Sequence, residues 1–221
     1  MQEIKKTAPV RHELTGTQKC YLTIKYTLDF LVALCALLVL LIPMGILCAA
    51  IYLEDKGPVI FTQKRIGKDQ KTFTLYKFRT MKMDTPHDTP THLLADPEQY
   101  ITKAGCLLRK FSLDELPQLL NILLGHMSLV GPRPALWNQY DLMAEREKYG
   151  VHQLRPGLTG WAQINGRDEL EIPVKAALDG EYLQKVSLAM DIRCMIGTVG
   201  AVVRADGVVE GGTGAKQEPQ K

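Results

Sequence analysis

The sequence predicts a mainly α fold with one short β-hairpin, an α+β arrangement, joined to an apolar membrane segment. Three observations predict it. Phe30 to Leu53 is a run of 24 residues without a charge, 22 of them apolar. Val59-Ile60-Phe61 and Thr72-Phe73-Thr74-Leu75-Tyr76 read as two short strands around a turn at Gly67 to Gln70. Leu116, Leu119, Leu120, Leu123, Leu124 and Met127 recur with the period of an amphipathic helix.

The apolar run is long enough, at about 36 Å as a helix, to cross a hydrocarbon core of roughly 30 Å. It starts too late and runs too long for a secretory signal. Pro43 divides it into 13 and 10 residues, neither of which crosses alone. Five basic residues precede the run and five follow it within 20 residues, so the positive-inside rule assigns no orientation. A kinked span and a helix-break-helix that dips in and returns are both compatible with these residues.

Around this segment the chain divides into four parts: a mobile polar arm over 1–18, the membrane helix over 19–55, a larger domain over 56–204, and a Gly-rich, disordered tail over 205–221. Asp84 to Glu98, with three prolines, reads as a loop carrying His87 and His92. Gln139 to Lys148 reads as a polar helix, Arg155 to Arg167 as a loop, and Glu181 to Val203 as one further helix.

Composition excludes several classes. The chain has 221 residues, 46% hydrophobic and 23% charged, which is globular rather than fibrous or wholly disordered. A mean hydropathy of -0.07 excludes a polytopic transporter. A net charge of +3, with no zinc-finger, homeodomain or RNP pattern, gives no support for nucleic-acid binding. Five cysteines without a C-x-x-C pair argue against a disulfide framework or zinc site and for reduced thiols facing the cytosol.

The candidate chemistry lies in four stretches. Asp114 and Glu115 are adjacent carboxylates where the amphipathic helix begins, with Ser112 as N-cap and Glu115 completing a capping box, or with Asp114 itself as N-cap. Either register sets Asp114 at a helix N-terminus, which favours an anion. Arg109 lies just upstream. In Gly131-Pro132-Arg133-Pro134, two prolines fix the backbone of one arginine, which suits bidentate phosphate recognition. Lys77 and Arg79 end the second strand, and Arg155 and Arg167 flank the glycine-rich stretch with Gln163 and Asn165. Several cations, tight turns and one carboxylate pair together point to a phosphorylated substrate and a divalent cation. Helix capping and solvated bases are the plainer account of each stretch alone. No P-loop, dinucleotide fingerprint, zinc-protease or serine-hydrolase motif is present.

Four ordered blocks carry a resemblance: Lys64-Arg65-Ile66-Gly67 through Tyr76-Lys77-Phe78-Arg79-Thr80-Met81, Ser112 to Gln118, Met127 to Pro134, and Arg155 to Arg167. Over roughly Lys19 to Arg204 the chain resembles the small monotopic phosphoglycosyl transferases, also called bacterial sugar transferases. The resemblance implies transfer of a sugar-1-phosphate, N-acetylated in many members, from a UDP-sugar to undecaprenyl phosphate with release of UMP. This is the first membrane step of polysaccharide or glycoconjugate assembly. It implies a catalytic domain on the cytoplasmic face of the bacterial inner membrane, interfacial amphipathic helices, and a re-entrant N-terminal helix that breaks at Pro43. It implies Asp114 as a nucleophile forming an aspartyl phosphosugar, and Glu115 with Asp114 as ligands of Mg²⁺. Arg109 and Arg133 match phosphate-binding positions; Lys77, Arg79, Arg155, Gln163, Asn165 and Arg167 are further substrate-binding candidates. The chain departs from the family pattern in having Ile42 rather than Ser before Pro43, and no Trp near Ile172 to Lys175. A non-catalytic, membrane-anchored nucleotide-sugar-binding regulator is the alternative; it would keep the arginines and not need Asp114.

Overall fold

The computed structural model describes residues 10–85, 97–166 and 170–204. The loop histidines His87 and His92, the residue Arg167 and the tail beyond 204 lie outside them.

Helix α1 (Gly16–Glu54) dominates the chain. Thr15 starts it with a capping box: its hydroxyl accepts from Gln18 N, and its own N–H donates to Gln18 Oε1 at 3.0 Å. The helix was expected over 19–55 as two pieces broken at Pro43; it is one continuous element of 39 residues with Pro43 inside. Proline removes one backbone donor, at a point where the flanking Val39 and Ile42 are both 76% exposed, and the ladder resumes beyond it. Residues 10–15, expected in a mobile polar arm, are hydrogen-bonded to the domain. His12 N donates to Tyr149 O at 3.1 Å, and Gln153 Nε2 donates to His12 O at 2.8 Å.

One stripe of α1 faces the protein along its whole length. Leu22, Lys25, Asp29, Ala33 and Ile51 are buried on it, spaced by three or four residues over its first half. The other faces are apolar and exposed, with Leu38, Leu41 and Ile46 each above 60%. The helix is long and apolar enough to cross a membrane.

The rest of the fold lies against that stripe. Strands β1 (Ile60–Ile66) and β2 (Thr72–Phe78) form the expected antiparallel hairpin, Ile60 opposite Phe78 and Ile66 opposite Thr72. Helix α2 (Lys103–Lys110) follows, then a single 3₁₀ turn at Leu113–Glu115 and α3 (Gln118–Leu123). Strand β3 (Ser128–Val130) pairs in parallel with β4 (Gly157–Thr159), with α4 (Tyr140–Glu147) between them. Short helix α5 (Trp161–Ile164) leads to α6 (Ile172–Gln184) and α7 (Leu188–Arg204). The single helix expected over Glu181 to Val203 is therefore the end of α6 and α7, separated at Lys185 to Ser187.

Three apolar clusters form the core, and each includes part of α1. Leu22 joins Leu154, Tyr182, Leu183 and Met190. Ala33 joins Phe73, Leu119, Ile122 and Met127. Ile51 joins Phe78 and Leu108. Both ends of α1 are thus fixed to one domain. Gln18 Nε2 donates to Gln184 O at 3.0 Å at one end. At the other, the Glu54 carboxylate accepts from Lys103 N at 2.6 Å and Ala104 N at 2.8 Å, closing the N-terminus of α2.

Candidate active site

Alternation along β2 decides where Lys77 goes. Phe73, Leu75 and Lys77 share the inward face, so the cation is buried, 6% exposed, beneath the hairpin. A buried ammonium requires a counter-charge. The turn before α3 supplies it: Lys77 Nζ lies 3.3 Å from Glu115 Oε1 and 3.8 Å from Asp114 Oδ2.

That turn differs from the expected capping box. Ser112 takes a left-handed conformation, φ 55°, and its side chain caps nothing. Asp114 and Glu115 occupy a 3₁₀ turn, and α3 begins only after Pro117, which has no N–H to donate and a φ suited to a helix start. Asp114 therefore precedes α3 by one turn, buried at 6% exposure and not at a long helix N-terminus. The regular helix ends at Leu123, short of the expected Met127.

Asn121, which sequence reasoning missed, locks α3 to the hairpin. Its side chain, fully buried, accepts from Tyr76 N at 3.1 Å and donates to Thr74 O at 2.7 Å. Asn121→Ala should cost about 1–3 kcal/mol, because two part-buried backbone groups of the hairpin lose this partner. Chemical unfolding in detergent measures this.

The Gly131–Pro134 turn brings the arginine of the second motif to the same place. Arg133 Nη1 lies 3.2 Å from Glu115 Oε1. The Arg133 carbonyl accepts from Arg146 Nη1 at 2.9 Å, and Arg146 Nε donates to Asp179 Oδ2 at 2.8 Å. Burial pushes the Asp179 carboxyl up, against the opposing pull of the Arg146 guanidinium. Lys77, Asp114, Glu115 and Arg133, drawn from three separate motifs, thus converge. Arg109 stands at the end of α2, its Nε donating to Thr80 Oγ1 at 2.9 Å, one residue beyond Arg79.

The remaining candidates are placed elsewhere. Arg79 is clasped to α1: its Nη1 is 3.5 Å from Asp55 Oδ2, and Nη2 donates to the Asp55 carbonyl. Arg155 stacks its guanidinium 4.3 Å from the Tyr26 ring centroid, against α1. Asn165 Nδ2 donates to Trp161 O at 2.8 Å. Gln163 is buried in α5, beside the Gly131 backbone. A cleft of about 440 Å³, counting its open mouth, lies between the hairpin turn and α4; Arg133 lines it, and neither Asp114 nor Glu115 does.

A second polar cluster, also missed, fastens α1. Lys25 Nζ lies 3.0 Å from Asp29 Oδ2, 2.7 Å from Ser128 Oγ and 3.2 Å from Asp191 Oδ2. Tyr21 and Tyr182 donate to Asp191 at 2.7 and 2.6 Å. Burial, with Asp191 beside it, pushes the Tyr182 hydroxyl well up, so it remains a donor. The available signal was an opposite-charge pair at i, i+4 just before an uncharged run.

Among the described residues no group of three or more His, Cys, Asp or Glu could hold a metal. The adjacent carboxylates nevertheless form a hard-oxygen pair. Mg²⁺ typically takes one or two carboxylates and completes its shell with water and substrate phosphate, so the donor set fits that ion.

A helix long and apolar enough to cross a membrane, a buried Asp114 beside a half-buried Glu115, and cations converging on the pair are the features of a membrane-associated transferase. The chain matches the bacterial sugar transferase family profile over residues 20–205 and belongs to that family. It is 45% identical over 160 residues to an uncharacterized sugar transferase, EpsL, of Bacillus subtilis, covering 72% of this chain and 77% of that one. It is 40% identical over 189 residues to the exopolysaccharide production protein PSS of Rhizobium leguminosarum, covering 80% and 94%. It is 41% identical over 175 residues to the UDP-glucose:undecaprenyl-phosphate glucose-1-phosphate transferase of Escherichia coli, covering 74% of this chain and 37% of that longer protein.

Proposed function

We propose that this enzyme transfers a sugar-1-phosphate from a UDP-sugar to undecaprenyl phosphate through an aspartyl phosphosugar, releasing UMP. The observation that carries the reading is the placement of buried Asp114 and half-buried Glu115 against buried Lys77, with Arg133 on Glu115. An anionic nucleophile approaching a diphosphate needs fixed cations, and preorganised charge is the main resource of phosphoryl transfer. Asp114 would attack the sugar-bearing phosphorus while the bond to the UMP oxygen breaks and UMP leaves with the electron pair. The lipid phosphate oxygen would then attack the same phosphorus, breaking the acyl-phosphate P–O bond and restoring the Asp114 carboxylate. Lys77 would hold both carboxylates in place, and Arg133 and Arg109 would orient the phosphates. Bound through Asp114, Glu115 and the substrate phosphates, Mg²⁺ would offset charge on the leaving UMP. Treatment with EDTA should abolish turnover, and added Mg²⁺ should restore it.

The lipid acceptor demands a site at membrane level, and the placement of α1 supports one. A spanning helix can touch a domain on one side of the bilayer only near one end. Here Leu22, Ala33 and Ile51 are all buried in the same domain, which favours a helix that stays on the domain's side of the bilayer over one that crosses. Exposed Leu120, Leu124, Leu107 and Phe111 on and beside α3 and α2 would lie at the same surface. In a variant otherwise lacking cysteine, Cys20, Lys56→Cys and Ala144→Cys, tested one at a time, should all label with an impermeant maleimide from the cytoplasmic side. Cys20 labelling from the opposite side would contradict this topology. The function itself is tested by UMP release from purified protein with polyprenol phosphate, Mg²⁺ and a panel of UDP-sugars.

A further inference from the structure

Gln163 is 8% exposed, yet neither Nε2 nor Oε1 has a hydrogen-bond partner. Burying an unmatched amide is destabilising, and a methionine of similar length would fill the space without that cost. An unmatched polar group inside a fold calls for an explanation, and a ligand is one.

Its position specifies where such a ligand lies. Gly160, at the start of α5, crosses Gly131 so closely that a Cβ there would fall 2.0 Å from Gly131 O and 2.6 Å from Gln163 Oε1. Gly157 is as tight: its Cβ would fall 2.1 Å from Gly131 N. These glycines set the Gln163 amide against the backbone two residues before Arg133, whose guanidinium reaches Glu115. The neighbouring polar side chains of this segment are engaged, Trp161 Nε1 with Glu181 Oε2 at 2.9 Å and Asn165 with Trp161 O.

The chemistry of the amide narrows the ligand. A phosphate offers only acceptors and would meet Oε1 unfavourably. A hydroxyl or acylamino group both donates and accepts, as the carboxamide does. The group bonded to the attacked phosphorus is the transferred sugar; the base lies beyond the second phosphate and the ribose. We infer that Gln163 reads a hydroxyl or acylamino substituent of the transferred sugar and so determines donor specificity. This rests on the donor reading above.

The test compares wild type with Gln163→Met on the natural donor and on analogues that each lack one sugar substituent. Q163M should keep or raise the unfolding midpoint and lose about 30-fold in kcat/KM on the natural donor. For one analogue, wild type and variant should differ by less than about threefold, because the substituent that the amide reads is already gone. Gln163→Asn, which withdraws the same amide by one methylene, gives the same comparison should Q163M fail to fold. An unchanged kcat/KM would overturn the inference. So would an equal loss on every analogue, which would place the amide on the nucleotide or in the fold. If wild type turned over no UDP-sugar, the donor reading itself would fall. Wild-type turnover with a flat Q163M profile would remove only the role of Gln163.

Discussion

Asp114→Asn should lower sugar-phosphate transfer by at least about 10³-fold, with little change in stability. The fall follows from nucleophilicity: an amide oxygen cannot take the place of a carboxylate in forming an acyl phosphate, and about 4 kcal/mol of barrier returns. The stability should hold because Lys77 retains its closer partner, Glu115 at 3.3 Å against 3.8 Å for Asp114. Donor binding should also persist, since Arg133 and Arg109 are untouched. Loss of kcat with a donor affinity within a few-fold of wild type is the expected split. Glu115→Gln differs in kind. It removes a carboxylate charge shared by Lys77 and Arg133, so stability and activity should fall together.

The second large effect lies far from the carboxylate pair. Lys25→Met should cost about 3–5 kcal/mol, because it leaves Asp29 and Asp191, each about 5% exposed, facing one another without a cation. Adding Asp29→Leu should recover at least half of that loss. The remaining carboxylate, Asp191, keeps the hydroxyls of Tyr21 and Tyr182. A single-variant cost below about 1 kcal/mol would mean that the cluster does not hold α1. Chemical unfolding in a fixed detergent measures both variants. Because α1 also seats the inner face of the hairpin through Ala33 and Phe73, the single variant should reduce activity as well.

Cys194 offers a check on the same region. Burial is the first cause that pushes its thiol up to about 12, with the Asp191 carboxylate the next. Thiolate is the reactive form, so this side chain should resist alkylation at pH 8 while exposed Cys106 reacts. Mass spectrometry after a short maleimide pulse distinguishes them.

What could be read from the sequence follows the range of the forces involved. The hairpin was legible because strand alternation is local: Thr72 to Tyr76 states its own period. The carboxylate pair was legible because its two members are adjacent. Strands β3 and β4 were not, since three residues each carry no period and their parallel pairing joins positions about 29 apart. The division of α6 from α7 was hidden because apolar spacing continues across Lys185 to Ser187. Arg79 read as a substrate-binding candidate because nothing near it in sequence claims its charge; Asp55, 24 residues earlier, does. Lys25 read as a membrane-flanking cation, and only the fold shows Asp191 coming from the far end of the chain to meet it. Ser112 read as a cap because its spacing to Glu115 is right, but its positive φ turns the chain before a helix can start there.

Intact-protein mass spectrometry after incubation with UDP-sugar and Mg²⁺, in the absence of lipid acceptor, bears most directly on the two-step reading. A mass increase equal to one sugar phosphate, mapped to Asp114, removed by adding polyprenol phosphate and absent from Asp114→Asn, is the predicted result. Transfer that proceeds with no such adduct, and at an undiminished rate in Asp114→Asn, would contradict it.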